Sequence, residues 1–224
     1  MRNNRGKSAA SPGKTGRKNG DEIRRLAAMR SGWARFLHDH VCQHATAIAF
    51  LQKSLEKRIP AGDACGRDKM KKNGELVNAL SGRLRLLMRG LNAEYINETN
   101  LCAAAAELCA KTAETLGIVC NFSTLVKRTE LDEESAKLMY IIAGDAVFSA
   151  AFDGKAHNIV AEFVSEGGKF VFLFRDDGMA WTDARKDALR GITGMNGWDA
   201  AFAIESGGRN RFSCIAPAER TEKE

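Results

Sequence analysis

Residues 35–43 read RFLHDHVCQ, and within this stretch His38, Asp39 and Gln43 form the pattern His-Asp-x-x-x-Gln. Apolar positions recur there at steps of three and four, and we expect them to form one seam: Leu37, Val41, His44, Ile48, Leu51 and Leu55. This a/d spacing predicts a long amphipathic helix that requires an apolar partner surface. The pattern therefore lies on a helix that packs against another helix.

The three polar residues have complementary chemistry. At about 100° per residue, His38 falls beside the seam, and Asp39 and Gln43, four residues apart, share a face. An imidazole can attack phosphorus if a neighbouring carboxylate takes its proton, and an amide can orient a water molecule. The alternative is a solvated His-Asp pair on the flank of a helix. We therefore name His38, Asp39 and Gln43 as candidate catalytic residues.

Composition places the chain among globular proteins. Its 224 residues suffice for one or two domains, and 44% are hydrophobic and 28% charged. The net charge of +6 comes from residues 1–20, which contain six basic residues and no acidic one; without those six, the 34 basic residues fall to 28, equal to the 28 acidic ones. This tail is rich in Gly, Ser and Asn, so we expect it to be disordered, with no nucleic acid as its partner.

The cysteines and the apolar segments indicate a cytoplasmic protein without a membrane span. The six cysteines are scattered, with no CxxC pair and no Cys/His cluster at zinc spacing. We expect them to be reduced, and we interpret Cys42 as a packing residue despite its proximity to His38. The sequence has no run of about 18 apolar residues and no signal-peptide core.

Interruptions of the apolar pattern divide the chain into a helical region and an α+β region. We predict a helix from Asp21 to Arg58 and a second from Gly74 to Glu98, which form an antiparallel hairpin that dimerises into a four-helix bundle. The second helix has an apolar seam of its own: Leu76, Leu80, Leu84, Leu87 and Leu91. A third, alanine-rich helix runs from Leu101 to Leu116 and ends at Gly117, a usual C-cap residue. The remaining predicted elements make an α+β domain: strand 118–123, helix 132–152, strands 158–164 and 170–174 in a hairpin around Gly167-Gly168, a loop region with one short helix over 175–200, and strand 211–216.

The order of these parts resembles the cytoplasmic half of two-component sensor histidine kinases, and most closely the nitrate-sensor and desaturase-regulator type. The resemblance is carried by the His38 box, Leu84–Leu91, Leu101–Cys120, Met139–Ile159 and the stretch 170–181, FVFLFRDDGMAW. It implies a disordered tail over 1–20, a dimerisation and phosphoacceptor hairpin over 21–98, a histidine-kinase-type α/β sandwich over 99–218 and a short C-terminal tail over 219–224.

The same resemblance implies an ATP site with departures from the family pattern. Asp176 stands where the family carboxylate accepts a hydrogen bond from adenine, and Gly178 follows it, but Ala180 replaces the second glycine. Asp145 and Ser149 stand where the family has the Glu and Asn that bind Mg²⁺ and phosphate. Gly191 and Gly194 stand in the glycine-rich lid. The expected cofactors are ATP and Mg²⁺, held by these residues, in an eroded site.

Three functions follow from the resemblance. In the first, the chain is a protein-histidine kinase that phosphorylates His38 from ATP and passes the phosphoryl group to a response-regulator receiver domain. Alternatively, it is a histidine phosphotransfer protein or phosphatase whose sandwich has lost ATP, or else a non-catalytic dimeric scaffold. We place the autokinase first, because Asp145, Asp176 and Gly178 offer a partial pocket, and we expect a homodimer that belongs to a phosphorelay.

Overall fold

The computed structural model describes residues 13–60, 62–126, 129 and 131–217. The N-terminal part is one uninterrupted helix made of α1 (Gly13–Phe36), a π-helical segment (Leu37–Cys42) and α2 (Gln43–Glu56). A short turn leads to α3 (Ala64–Leu91), which runs back along it, and α4 (Leu101–Leu116) follows. This arrangement is the predicted helical hairpin, seen in a single copy of the chain.

The second layer is a five-stranded mixed sheet. Its strands are β1 (Val119–Thr124), β2 (Asn158–Glu166), β3 (Lys169–Asp176), β4 (Asp199–Ile204) and β5 (Asn210–Pro217), in the order β1-β2-β3-β5-β4. Only β1 and β2 are parallel, and α5 (Glu133–Phe148) with a second π-helical segment (Ser149–Asp153) makes the crossover that a parallel pair requires. Helix α6 (Asp183–Gly194) precedes β4.

One hydrophobic core joins the two layers. Alternate residues of the central strands point to the helices, and their register places Phe163 opposite Phe172 and Phe172 opposite Cys214. Ile23 and Ala27 of α1 belong to the same buried cluster as these phenylalanines, as does Leu86 of α3. The helical hairpin is therefore packed against the sheet layer through α5.

Two helices begin earlier in the sequence than predicted. Helix α1 begins at Gly13 rather than Asp21, because no proline lies between Gly13 and Asp21 to interrupt it. Residues 1–12 and 218–224 of the predicted tails lie outside the described residues. Helix α3 begins at Ala64 rather than Gly74, because the Asp63 side chain accepts a hydrogen bond from the Gly66 N–H at 2.8 Å and caps it.

The C-terminal end of α3 and strand β4 were also misplaced by the sequence pattern. Helix α3 ends at Leu91 rather than Glu98, and the Asn97 side chain instead accepts hydrogen bonds from the N–H groups of Thr99 and Asn100 in a turn. Strand β4 was not predicted: its first two residues fall in the predicted loop region 175–200 and the others were left unassigned, because its alanine-rich sequence DAAFAI lacks the usual strand signal. Helix α4 and its left-handed Gly117 cap are confirmed.

The most apolar helix belongs to the core. The stretch Glu133–Asp153 has the length and composition of a membrane span, but 67% of its most apolar window is buried inside the fold. Core helices of globular proteins have the same length and composition, so packing against β2 and β3 explains the apolar character of this helix.

Candidate functional site

His38 lies on the first π-helical segment, at the point where α1 becomes α2. Its side chain is 67% exposed and that of Asp39 is 61% exposed. Gln43, the first residue of α2, is exposed as well. A π-helical segment inserts an extra residue into the helix and is frequent at functional sites. The structure therefore places the three predicted catalytic residues together on an accessible surface.

The contact between His38 and Asp39 selects one tautomer of the imidazole. His38 Nδ1 lies 3.0 Å from Asp39 Oδ1. An ionised carboxylate can only accept, so Nδ1 carries the proton and Nε2 keeps its lone pair. The sequence led us to expect Asp39 as the base that removes a proton. The same contact suits that role, because the carboxylate lies where it can take the Nδ1 proton, and it also lets Asp39 orient the ring and oppose the positive charge that develops on it.

Two cavities border His38. The larger, about 620 Å³, lies between helices α1, α3, α4 and α5, with Tyr140 and Glu107 in its wall. The smaller, about 290 Å³, is lined by Cys42, Gln43 and Thr46 of the helix that carries His38. A group bound to the imidazole thus has room on both sides.

The predicted metal ligands lie elsewhere, in a groove of about 590 Å³ between α3, α5 and α6. Asp145 and Ser149 both line it, but the two Asp145 oxygens accept from the Arg30 guanidinium at 2.6 and 3.1 Å. Among the residues that the structure describes, no three His, Cys, Asp or Glu side chains form a metal-binding group. In this arrangement Asp145 is the partner of an arginine.

Arg185 also lines this groove. Its guanidinium lies 3.7 Å from the centre of the Trp181 ring, and its Nη2 donates to the Ala146 carbonyl at 3.3 Å. Burial lowers the pKa of Arg185 to about 10, and the charges of Asp176 and Asp153 oppose that shift in part. A cation and an indole ring therefore occupy the space between α6 and the end of β3.

Asp176 is buried and already hydrogen-bonded, with only 2% of the residue exposed. Its Oδ1 accepts from the Gly178 N–H at 2.9 Å and from the Asn210 amide at 2.8 Å. Its Oδ2 accepts from the Trp181 Nε1–H at 2.8 Å. Three of the roughly four lone-pair positions of the carboxylate are thus used inside the protein. No pattern in the sequence indicates these hydrogen bonds, because Trp181 and Asn210 meet Asp176 only in the fold.

The glycines of the predicted site have structural explanations. A Cβ on Gly178 would lie 2.6 Å from the Gly154 carbonyl oxygen, so backbone packing requires glycine there. Gly191 and Gly194 belong to α6, and a Cβ on either meets nothing within 4 Å. Ala180 is exposed beside a small cavity of about 200 Å³. These residues do not converge on one pocket.

Taken together, the residues do not fit an adenine nucleotide in this arrangement. The carboxylate that would accept from the base is buried against Trp181, and the carboxylate that would help to hold Mg²⁺ is paired with Arg30. Displacing either partner would leave a charged or polar group unsatisfied, which is costly. The groove beside Asp145 retains the volume of a ligand pocket, and among the described residues Asp153 is the one other carboxylate in its lining.

No family model and no curated protein matches the chain. Among solved structures, the Erythrobacter litoralis blue-light activated histidine kinase matches with a TM-score of 0.43 and 13% identity, over 82% of this chain and 61% of that one. Acinetobacter baumannii histidine kinase AdeS matches with a TM-score of 0.41 and 10% identity, over 81% and 98%. The catalytic domain of histidine kinase ThkA matches with a TM-score of 0.43 and 13% identity, over 55% and 94%. At these scores the likeness does not establish an activity for this chain.

Proposed function

We propose that the chain is a two-component phosphotransfer protein, which carries a phosphoryl group on His38 and exchanges it with an aspartate of a response-regulator receiver domain. The observation that carries this proposal is the exposed imidazole whose Nδ1 is held by Asp39 at 3.0 Å. The His-Asp-x-x-x-Gln box and its resemblance to the phosphoacceptor helix of histidine kinases support the same chemistry.

The proposed step uses the free ring nitrogen. The Nε2 lone pair of His38 forms a bond to phosphorus while the P–O bond to the receiver aspartate breaks, and its electron pair returns to the aspartate carboxylate. The ring becomes positively charged, and Asp39 opposes that charge through Nδ1–H. The reverse step returns the phosphoryl group. Gln43, in the wall of the smaller cavity, is placed to orient a water for hydrolysis.

The internal contacts of the sheet layer favour a relay over an autokinase. Asp176 is bonded to Trp181, and Asp145 is paired with Arg30, so neither predicted nucleotide contact is free. Phosphoryl transfer from ATP depends mostly on positioning and charge stabilisation, so the loss of both contacts removes much of its catalysis. A relay through His38 requires only the helical part of the molecule.

The autokinase is the second candidate, and one observation favours it. The groove of about 590 Å³ has a volume within the range of ligand pockets, and it is lined by Asp145 and Ser149, the two residues predicted to hold Mg²⁺. This function would require Arg30 to leave Asp145 and the Trp181 region to rearrange. The ATP arm of the experiment below decides between the two candidates.

We also propose that the chain acts as a homodimer. Large aliphatic side chains at the turn end of the α2–α3 hairpin are at least half exposed in the single chain: Ile48, Leu51, Leu55, Leu76 and Leu80. All five belong to the apolar seams predicted from the sequence, and a contiguous exposed patch of this kind marks an interaction surface. The variant Leu51→Glu/Leu80→Glu should sediment as a monomer at concentrations where the wild type sediments as a dimer.

The experiment compares phosphoryl donors on the purified full chain. The donors are phosphoramidate, a receiver domain phosphorylated with acetyl phosphate, and ATP with Mg²⁺. We expect an acid-labile, alkali-stable phosphoryl group from the first two donors and none from ATP. The His38→Ala variant should acquire no phosphoryl group from any of the three donors. His40→Ala is the matched control, because His40 is an exposed imidazole on the same helical segment, stacked on Phe36.

Each other outcome has a definite meaning. Incorporation from ATP that is lost in His38→Ala would establish the autokinase in place of the relay. Equal incorporation in wild type and His38→Ala would exclude His38 as the acceptor. Absence of a phosphoryl group with all three donors would leave the chain as a non-catalytic scaffold and would overturn the proposal.

A further inference from the structure

The two cavities that border His38 share one cationic residue, Arg85. Among the residues that the structure describes, three line both cavities: His38, Arg85 and Met88. Arg85 lies on α3, which runs antiparallel to the helix that carries His38, and its side chain is exposed. The imidazole and the guanidinium therefore face the same space from opposite helices.

Arg85 differs from the other arginines of this region in its charge environment. Arg35 is paired with Glu94 at 3.2 Å, and Arg89 is paired with Glu107 at 2.6 Å. Within the described part of the chain, Arg85 has no acidic side chain within 4.0 Å and makes no side-chain hydrogen bond in the structure. It is thus the arginine beside His38 whose donors are not committed to a carboxylate.

A phosphoryl group on His38 would need such a partner. Phosphoryl oxygens carry the negative charge in phosphoryl transfer, and Asp39, the residue next to the ring, adds a further negative charge. The planar guanidinium of arginine donates to two oxygens of a phosphate through a fixed pair of N–H groups, a geometry that the lysine ammonium lacks. Met88 supplies an apolar wall to both cavities.

We propose that Arg85 is the phosphoryl-binding residue of the His38 site. This inference rests on the proposed function and extends it. The Arg85 guanidinium holds two phosphoryl oxygens while the N–P bond to His38 Nε2 forms and the bond from phosphorus to the leaving group breaks. The leaving group is the carboxylate oxygen of a receiver aspartate, which keeps the electron pair, or the nitrogen of phosphoramidate, which departs as ammonia. The site formed by His38 and Arg85 binds a phosphate-like dianion, whether it arrives on a receiver aspartate, on a small donor or as free inorganic phosphate.

The test combines kinetics with binding. The variants are Arg85→Gln, Arg85→Lys and the control Arg83→Gln, which removes an exposed arginine of the same helix that lines neither cavity. With phosphoramidate as donor, Arg85→Gln should slow phosphorylation of His38 by about 100-fold, the effect of removing one transition-state donor. Arg85→Lys should recover part of the rate, and Arg83→Gln should match the wild type.

Inorganic phosphate is the binding probe, followed through the Arg85 Nε–H and His38 ring resonances. We expect phosphate to shift both in the wild type and in Arg83→Gln, and to leave the His38 ring unshifted in Arg85→Gln. Unchanged phosphorylation or unchanged phosphate binding in Arg85→Gln, with its unfolding midpoint preserved, would overturn the inference. Phosphate binding that requires Arg85 on a protein that never accepts phosphoryl would instead support the anion site and exclude the proposed function.

Discussion

His38 and Asp176 differ in their exposure to solvent and in the origin of their hydrogen-bond partners. His38 is 67% exposed, and its partner is the residue next to it in the sequence. Asp176 is 2% exposed, and its side-chain partners, Trp181 and Asn210, come from two further segments of the chain. One group is open to a ligand, whereas the other is satisfied by the protein itself.

This difference separates the proposed phosphoryl-accepting residue from a group that holds the fold together. A buried carboxylate with several internal donors stabilises the structure, and its removal leaves those donors without a partner. An exposed imidazole contributes little to stability, so His38 can be replaced with little effect on folding. The comparison predicts large effects on stability at Asp176 and its partners and small ones at His38.

The largest expected effect is at Trp181. Its ring packs on Phe174, Phe202 and Phe212, and its Nε1–H donates to Asp176. Trp181→Ala should lower the free energy of unfolding by about 3–5 kcal/mol, because it creates a cavity. His38→Ala should change it by no more than about 0.5 kcal/mol. Chemical denaturation of both variants measures the contrast.

A second substitution at Trp181 isolates its hydrogen bond. Trp181→Phe keeps an aromatic ring and removes the donor to Asp176 Oδ2, which should cost about 1–3 kcal/mol for the unsatisfied carboxylate oxygen. The comparison would break down if Trp181→Ala remained stable and gained ADP binding by calorimetry. That result would identify Trp181 as the cover of a nucleotide pocket.

The glycines provide the next test, with effects of opposite sign. Gly178→Ala should destabilise by about 1–3 kcal/mol, because its Cβ would lie 2.6 Å from the rigid Gly154 carbonyl. Gly191→Ala should stabilise by about 0.5–1 kcal/mol, because Gly191 lies within α6 and its Cβ meets open space. Thermal unfolding of both variants checks the pair. Equal destabilisation by the two would show that Gly191 has a role outside helix packing.

The Arg30–Asp145 pair should show a smaller coupling. The two side chains are 14% and 25% exposed, which lies between a surface pair and a buried one. A double-mutant cycle with Arg30→Met and Asp145→Asn should give a coupling energy of about 1–2 kcal/mol, above the value for an exposed pair and below the cost of breaking a buried one. Coupling near zero, measured by urea denaturation, would leave Asp145 free to bind a metal ion.

The features that the sequence predicted correctly are local. Helix α4 was predicted from its alanine-rich sequence and Gly117, and the exposure of His38 follows from its position beside the seam on a helix. The turn at Gly167 and Gly168 follows from the need for positive φ, which both residues adopt. Such features depend on neighbours within a few positions, and these neighbours are visible in one sequence.

The side-chain contacts of the candidate nucleotide site that the sequence missed depend on distant partners. Arg30 and Asp145 are separated by 115 positions, and no pattern in a single sequence relates them. Asp176 and Asn210 are separated by 34 positions and meet because β3 pairs with β5 in a register that joins these two residues. The Asp-Asp-Gly segment therefore indicated a nucleotide site from its resemblance, whereas the hydrogen bonds that occupy Asp176 depend on sheet register.

The smallest expected effect is a pH dependence at Asp177, the exposed neighbour of Asp176. Its carboxylate accepts from His157 N–H and Asn158 N–H, both at 2.8 Å, and from the Asn158 amide at 2.6 Å. Burial acts to raise the pKa of Asp177, but these hydrogen bonds, led by the Asn158 side chain, outweigh it and hold the pKa below its usual value.

A lowered pKa in the folded state stabilises the protein above the unfolded pKa of about 3.9, and this stabilisation is lost as the pH falls through the folded value. Since Asp177 is exposed, we expect no more than about 0.5 kcal/mol after solvent screening. Asp177→Asn should be less stable than the wild type by this amount at pH 7 and equal to it near pH 2, as measured by urea denaturation. Glu75→Gln is the control, because Glu75 is an exposed carboxylate on α3 that forms no ion pair or side-chain hydrogen bond among the described residues. A difference that persists in acid would assign the effect to hydrogen-bond geometry rather than to charge, because protonation removes only the charge.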